Sequence, residues 1–251
     1  MIMEINLKLP KRWSALTSDQ VIKVARLMLH KREKPDFLVH CLLLLSGWKI
    51  VKWRMLVDGN RNYFYFKTPD KKVFCIGADM VANVVKTLEW ILEEVTMLNF
   101  CPELKGRRTP NFMLYNISLK QYLLADNYYR TYIDTNQWPE LCRMTAVLYC
   151  EDPEVIDIEA ESKKLMKMDE ALVYSVFIWF SGAKNWLRDQ YPWIFVNSTD
   201  GSEFVAPAEV LLSMVSSLNG GDITRNKNVL NTMVHEALYE LNLKIENSKK
   251  K

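Results

Sequence analysis

Glycine is scarce, eight in 251 residues, which argues against a Gly-rich nucleotide fold and against an all-β protein full of tight turns. No GxGxxG, GxxxxGK[ST] or GxSxG occurs, so phosphate binding through the familiar loops and a nucleophile elbow are both disfavoured. Histidine is scarcer still. His30, His40 and His235 sit in no HExxH, HxH or Cys–His spacing and are read as surface or packing residues. The five cysteines, Cys41, Cys75, Cys101, Cys142 and Cys150, are scattered, odd in number and form no CxxC. They read as buried or idle thiols of a reducing compartment, and no metal or cofactor is expected. Long apolar runs are missing too: Cys41–Leu45 is far short of a membrane span. MIMEINLKLPKRW has no uninterrupted apolar run and no small-residue cleavage site, so no signal peptide and a cytoplasmic location are expected. A formal charge of +3 is too small to imply nucleic acid by itself.

What the chain does have is aromatic mass and helical periodicity. Apolar residues make up 49%, enough for one large domain or two small ones. The clearest pattern lies in Ala208–Ile245. Val210, Leu211, Met214, Val215 and Leu218 recur at helical spacing, and Val229, Leu230, Met233, Val234, Ala237, Leu238, Leu241 and Ile245 mark a single stripe of about five turns. Gly220-Gly221 ends the first helix and Asp222 or Thr224 caps the second, giving an αα-hairpin that must bury one face. The same glycines with Asp222 share GGD with cyclic-dinucleotide synthases, but Ile223-Thr224 replace the Glu-Phe that follows there, and a helix linker accounts for them fully.

Upstream, Met3, Ile5, Leu7 and Leu9 alternate as a half-buried strand stopped by Pro10. Thr17 with Gln20 forms a capping box for a helix carrying Val21, Val24, Ala25, Met28 and Leu29. A second helix, Phe37–Leu45, ends at Ser46-Gly47. Strands follow over Trp48–Val57, Tyr63–Phe66 and Val73–Ile76, the first two joined at Asp58-Gly59-Asn60 as a meander. A helix is expected from Asp79 to about Val95, then a long loop, Asn99–Asn111, with two prolines and a glycine. Ser118 with Gln121 opens a helix to about Asn136, Pro139 another to about Tyr149, and Glu159–Met166 a short one after the acidic loop Glu151–Asp157. Met168–Gln190 is the most apolar helix and the expected centre of the core, ended by Tyr191-Pro192. Asn197–Glu203 is a polar loop, and Pro207 starts the terminal hairpin. The fold expected is α+β, predominantly α-helical, with a small antiparallel meander in the N-terminal third and a C-terminal αα-hairpin. It is read as one domain over 1–251, with 1–98 and 112–251 as a candidate subdivision.

Leu9–Met28 and Leu211–Lys244, about a fifth of the chain together, resemble proteins encoded near the tail genes of phages and prophages of gut anaerobes. The carriers are Leu9-Pro10, Trp13, Leu16-Thr17 and Gln20 in the first stretch, and GGDIT, Val229-Leu230 and HEALYELNLK in the second. Some small proteins of that neighbourhood look like tail assembly chaperones, which bind the tape-measure protein before the tail tube polymerises. This chain is longer, with a β meander and a central helical region added. The resemblance implies a non-enzymatic virion-assembly protein, made in the host cytoplasm or carried on the virion, that binds another phage structural or tail protein and no membrane. It supplies no catalytic residue.

Three functions therefore stand as expectations. The first is protein binding by a helix-in-groove or surface patch, with Trp138, Trp193, Met233 and Tyr239 as candidate contacts. Trp179 and Trp186 are assigned to the core. The second is nucleic-acid binding through Lys105, Arg107 and Arg108, with Phe100, Phe112 and Tyr115 near enough in sequence to stack on bases. The third is an enzyme whose carboxylate site assembles in space from residues such as Glu93, Asp152 or Asp157.

Overall fold

The computed structural model describes residues 7–55, 62–195 and 207–250. These form ten α-helices and a three-stranded sheet, an α+β protein dominated by helix. The chain gathers into two compact units, Met1–Thr96 and Met97–Lys251.

In the first unit Trp13–Ala15 makes a single 3-10 turn. Trp13 is buried and meets Trp90 edge to face at 5.6 Å. The capping box forms as expected. Gln20 N donates to Thr17 Oγ1 at 3.3 Å and Thr17 N to Gln20 Oε1 at 2.9 Å, fixing the start of α1 (Ser18–Lys31). α2 (Phe37–Ser46) ends at Gly47, whose φ of +69° is the left-handed geometry that favours glycine. β1 (Lys49–Met55), β2 (Asn62–Lys67) and β3 (Val73–Gly77) pair antiparallel in that order, with an irregularity in β1 between Ile50 and Lys52. The Asp58-Gly59-Asn60 turn lies outside the described residues. Phe66 pairs with Phe74, and Trp48 packs on both rings at 5.5 and 4.7 Å, so the buried face of the sheet is aromatic.

One expectation fails in this unit, and another falls mostly outside the described residues. Of the N-terminal strand, Leu7–Pro10 carries no strand and residues 1–6 lie outside the description. The helix expected to run to Val95 stops early: α3 is Ala78–Lys86, followed only by a 3-10 turn at Glu89–Ile91. Thr87 Oγ1 donates to Val84 O at 2.7 Å while Thr87 N and Leu88 N take carbonyls three residues back. This tightens the chain out of α geometry, and the apolar residues beyond bury Leu88 and Ile91 without it.

The second unit is helical. α4 (Leu119–Thr135) carries the Ser118–Gln121 capping box and ends at Asn136, whose φ is +53°. α5 (Trp138–Leu148) starts with proline in its first turn, and α6 (Ile158–Leu165) is capped by Asp157. α7 (Glu170–Gln190) is buried on nearly every side between Ala171 and Ala183, as its composition predicts. Trp179 is fully buried, and its Nε1 donates to Phe112 O at 3.0 Å. The Asn99–Asn111 stretch has no regular element but is not loose. Cys101, Pro102, Leu104 and Pro110 are buried, and the Tyr149 hydroxyl donates to Pro102 O.

The C-terminal region corrects the expectation of two helices. α8 (Pro207–Asn219) ends at Gly220 and Gly221, with φ of +66° and +85°, and Asp222 accepts from Thr224 N to cap a 3-10 turn. The stripe that reads as one helix then divides into α9 (Asn226–Asn231) and α10 (Val234–Lys249). At the break, Val234 N donates to Ile117 O at 2.9 Å, and Leu119 N to Thr232 O at 2.8 Å. The extended Thr232–Met233 link thus satisfies a first-turn amide of α4, which a continuous helix would have left without that partner. Lys244 Nζ reaches Ser217 O at 3.0 Å and caps the end of α8.

Thiol accessibility gives a direct check on this packing. Cys75 is exposed, whereas Cys41, Cys101, Cys142 and Cys150 are buried. Desolvation pushes the Cys41, Cys101 and Cys142 thiols up to about 12, so their thiolates are rare at neutral pH. Titration with a disulfide reagent should modify Cys75 rapidly and the others only on unfolding. Fast modification of Cys101 or Cys142 in the native protein would contradict the fold.

Candidate functional site

α10 turns Val234, Ala237, Leu238 and Leu241 into the core. His235, Tyr239, Asn242, Glu246 and Lys249 fall on a neighbouring face at i, i+4, i+7, i+11 and i+14. Along that face lies a row of aromatics from other segments. His235 packs on Tyr115 in a tilted pair at 4.3 Å and meets Trp186 at 5.5 Å and Tyr191 at 6.0 Å. Its Nε2 lies 2.6 Å from Met113 O, a pure acceptor, so Nε2 carries the proton. In the neutral ring Nδ1 then accepts from the Tyr191 hydroxyl at 2.9 Å. Further along, Trp193 N donates to Asn242 Oδ1 at 3.0 Å, and Lys249 Nζ stands 4.9 Å over the Trp193 ring.

The outer surface of this row is open. Tyr239 is 58% exposed, Tyr115 52%, Met233 42% and Trp193 38%. Three of the four partner-binding candidates, Trp193, Met233 and Tyr239, therefore fall on or beside α10. Trp138 opens α5, is half-buried and shares no element with them. Trp186, assigned to the core from sequence, is only half-buried and forms one wall beside His235. From sequence His235 reads as a surface or packing residue. Its partners Met113, Tyr115, Trp186 and Tyr191 are too far away in sequence for any spacing rule to join them to it.

The basic loop is placed differently. Lys105 and Arg108 are exposed, but Arg107 is drawn in to Glu161 of α6, Nη2 to Oε2 at 2.8 Å. The turn, Tyr149–Glu151 and α6 line an open cleft of about 470 Å³. Of the aromatics expected near the loop, Phe112 gives its carbonyl to Trp179, and Tyr115 belongs to the α10 row. The acidic residues have local backbone roles: Asp152 Oδ1 accepts from Glu154 N, and Asp157 Oδ1 from Ala160 N. Glu93 belongs to the other unit. Among the described residues no cluster of three or more His, Cys, Asp or Glu could hold a metal ion, and no helix is long and apolar enough to cross a membrane.

A buried charge cluster between α4 and α7 completes the unit. Lys184 is bonded to Asp126 Oδ1, Arg130 Nε lies 2.8 Å from Asp126 Oδ2, and the Lys184 ammonium sits 4.0 Å over the Tyr129 ring. Desolvation pulls Lys184 below the usual lysine range against the opposing pull of Asp126. Every charge there has a protein partner, and the cluster's chemistry is that of a structural ion pair. No known protein family, curated protein or solved structure matches this chain.

Proposed function

We propose that this protein is a non-enzymatic assembly factor that binds another protein through the aromatic face of α10. We further propose that its partner is a phage or prophage tail-region component. The observation that carries protein binding is the exposed row Tyr115, Tyr239 and Trp193, in which His235 packs on the Tyr115 ring, Asn242 fixes the Trp193 backbone and Lys249 covers the Trp193 ring. Large amphipathic rings fixed before association lose little rotamer freedom on binding, and tyrosine and tryptophan dominate binding energy at interfaces. A row parallel to a helix axis suits an amphipathic helix laid alongside it. The phage setting rests on the resemblance of Leu9–Met28 and Leu211–Lys244 alone.

A tagged copy, followed by quantitative mass spectrometry of purified particles and of producing-cell lysate, tests both parts. A fixed ratio to a tail or head protein in particles makes it a virion component. Capture of a tail precursor from lysate, with absence from particles, makes it a transient assembly factor. If it associates with neither, the phage assignment is wrong. Tyr239→Ala with Trp193→Ala should weaken a captured complex by about thirtyfold or more, the scale of a single interface hot spot. Affinity within twofold of wild type would remove α10 as the docking surface.

A further inference from the structure

We propose that the cleft between the Lys105–Arg108 turn and α6 binds a small phosphate-bearing anion, with Lys105 and Arg108 as its free cations and Arg107 as a prearranged donor. This site is independent of the α10 surface.

The turn is built to present charge. Gly106 adopts a φ of +74°, and Arg107 N donates to Leu104 O at 3.1 Å, closing a tight turn on the buried Leu104. Lys105 and Arg108 thus project from a loop anchored by buried residues rather than from a free strand of chain, with Arg107 between them turned in to Glu161. α6 supplies the opposite wall with Glu161 and Lys164, one helical turn apart. Tyr149, Cys150 and Ile156 close the cleft.

The charges do not cancel. Four cations, Lys105, Arg107, Arg108 and Lys164, face two carboxylates, Glu151 and Glu161. Glu161 already has a cation on each oxygen: Oε2 takes Arg107 at 2.8 Å and Oε1 takes Lys164 at 2.5 Å. These bonds hold its carboxyl below the usual range, so it stays ionised and keeps Arg107 oriented. Lys105 and Arg108 have no ion-pair partner among the described residues. The excess of two positive charges matches a phosphate dianion better than a carboxylate, and a guanidinium fork suits the spacing of phosphate oxygens. The volume is of the size that takes a small molecule. A long polyanion would instead need a track of cations, and here the acids Glu151 and Glu161 stand within the cleft itself.

Calorimetric titration of the full chain with inorganic phosphate, against chloride at matched ionic strength, tests the site. Saturable binding is expected, with Lys105→Ala and Arg108→Ala each weakening it about tenfold or more and the double variant abolishing it. Arg225→Ala, an exposed arginine outside the cleft, should leave it unchanged. Thermal melts in chloride check that the variants fold, and Arg108→Gln supplies a second replacement at that position. A nucleoside monophosphate distinguishes sources: tighter binding than inorganic phosphate means that the rest of the ligand is also held, and equal binding means the phosphate group alone. The proposal is overturned by no saturable phosphate binding, by binding that survives the double variant, or by a single-stranded oligonucleotide binding where phosphate does not.

Discussion

Replacing Asp126 by alanine is expected to destabilise the Met97–Lys251 unit by about 3–5 kcal/mol, because it leaves a buried ammonium without its counter-charge. Asp126 is 8% exposed and joins α4 to α7 through Lys184, whose side chain is also largely buried. Arg130, the other partner, is half-exposed, and Arg130→Ala should cost only about 0.5 kcal/mol. The decisive comparison is a double-mutant cycle in denaturant. In a Lys184→Met background no charge is stranded, and Asp126→Ala should lose most of its effect. An equal loss in both backgrounds would show that the pair is not coupled. The pH dependence has a definite sign. Burial lowers the folded-state pKa of Lys184 below its usual 10.5, so between those values the unfolded chain binds more protons. The penalty for burying the ammonium is full at neutral pH and is relieved as pH rises through that window. The stability difference between wild type and Lys184→Met should change accordingly in alkaline solution.

Trp179→Ala should cost the same unit about 3–5 kcal/mol, the range for emptying a core site of an indole. Trp179 is fully buried in α7, packs against Phe180 at 6.2 Å ring separation and bonds Phe112 O through Nε1. Trp179→Phe separates the two contributions. It keeps an aromatic ring but withdraws the donor, leaving a carbonyl unpaired at a cost of about 1–3 kcal/mol. Protease cleavage around residues 108–116 should rise in both variants, because that carbonyl is where the segment is tied to the core helix. If Trp179→Phe is neutral in denaturant and in proteolysis, the bond to Phe112 contributes nothing and the segment is held by its apolar anchors alone.

The sequence by itself determined the parts whose causes lie within a few residues. Thr17 with Gln20 and Ser118 with Gln121 start helices because each cap needs only a partner three positions on. Gly220 and Gly221 end α8 because their positive φ costs glycine nothing, and the apolar run of α7 marks the core because nothing else would keep it from water. Part of the candidate surface was legible for the same reason: Tyr239 sits off the apolar stripe of α10 and has to face outward.

Only the tertiary structure decided the rest. Periodicity reports which side chains are buried but is silent on where backbone amides find acceptors. The stripe from Val229 to Ile245 therefore looks continuous although the chain leaves the helix at Thr232–Met233 to pair with Ile117 and Leu119. His235 becomes the hub of an aromatic row only when Met113, Tyr115, Trp186 and Tyr191 converge on it. Arg107 looks like one of three equal cations until Glu161, 54 residues away, takes it and leaves Lys105 and Arg108 facing an open cleft. In each case the deciding partner is distant along the chain, and only packing of the whole unit brings it within bonding distance.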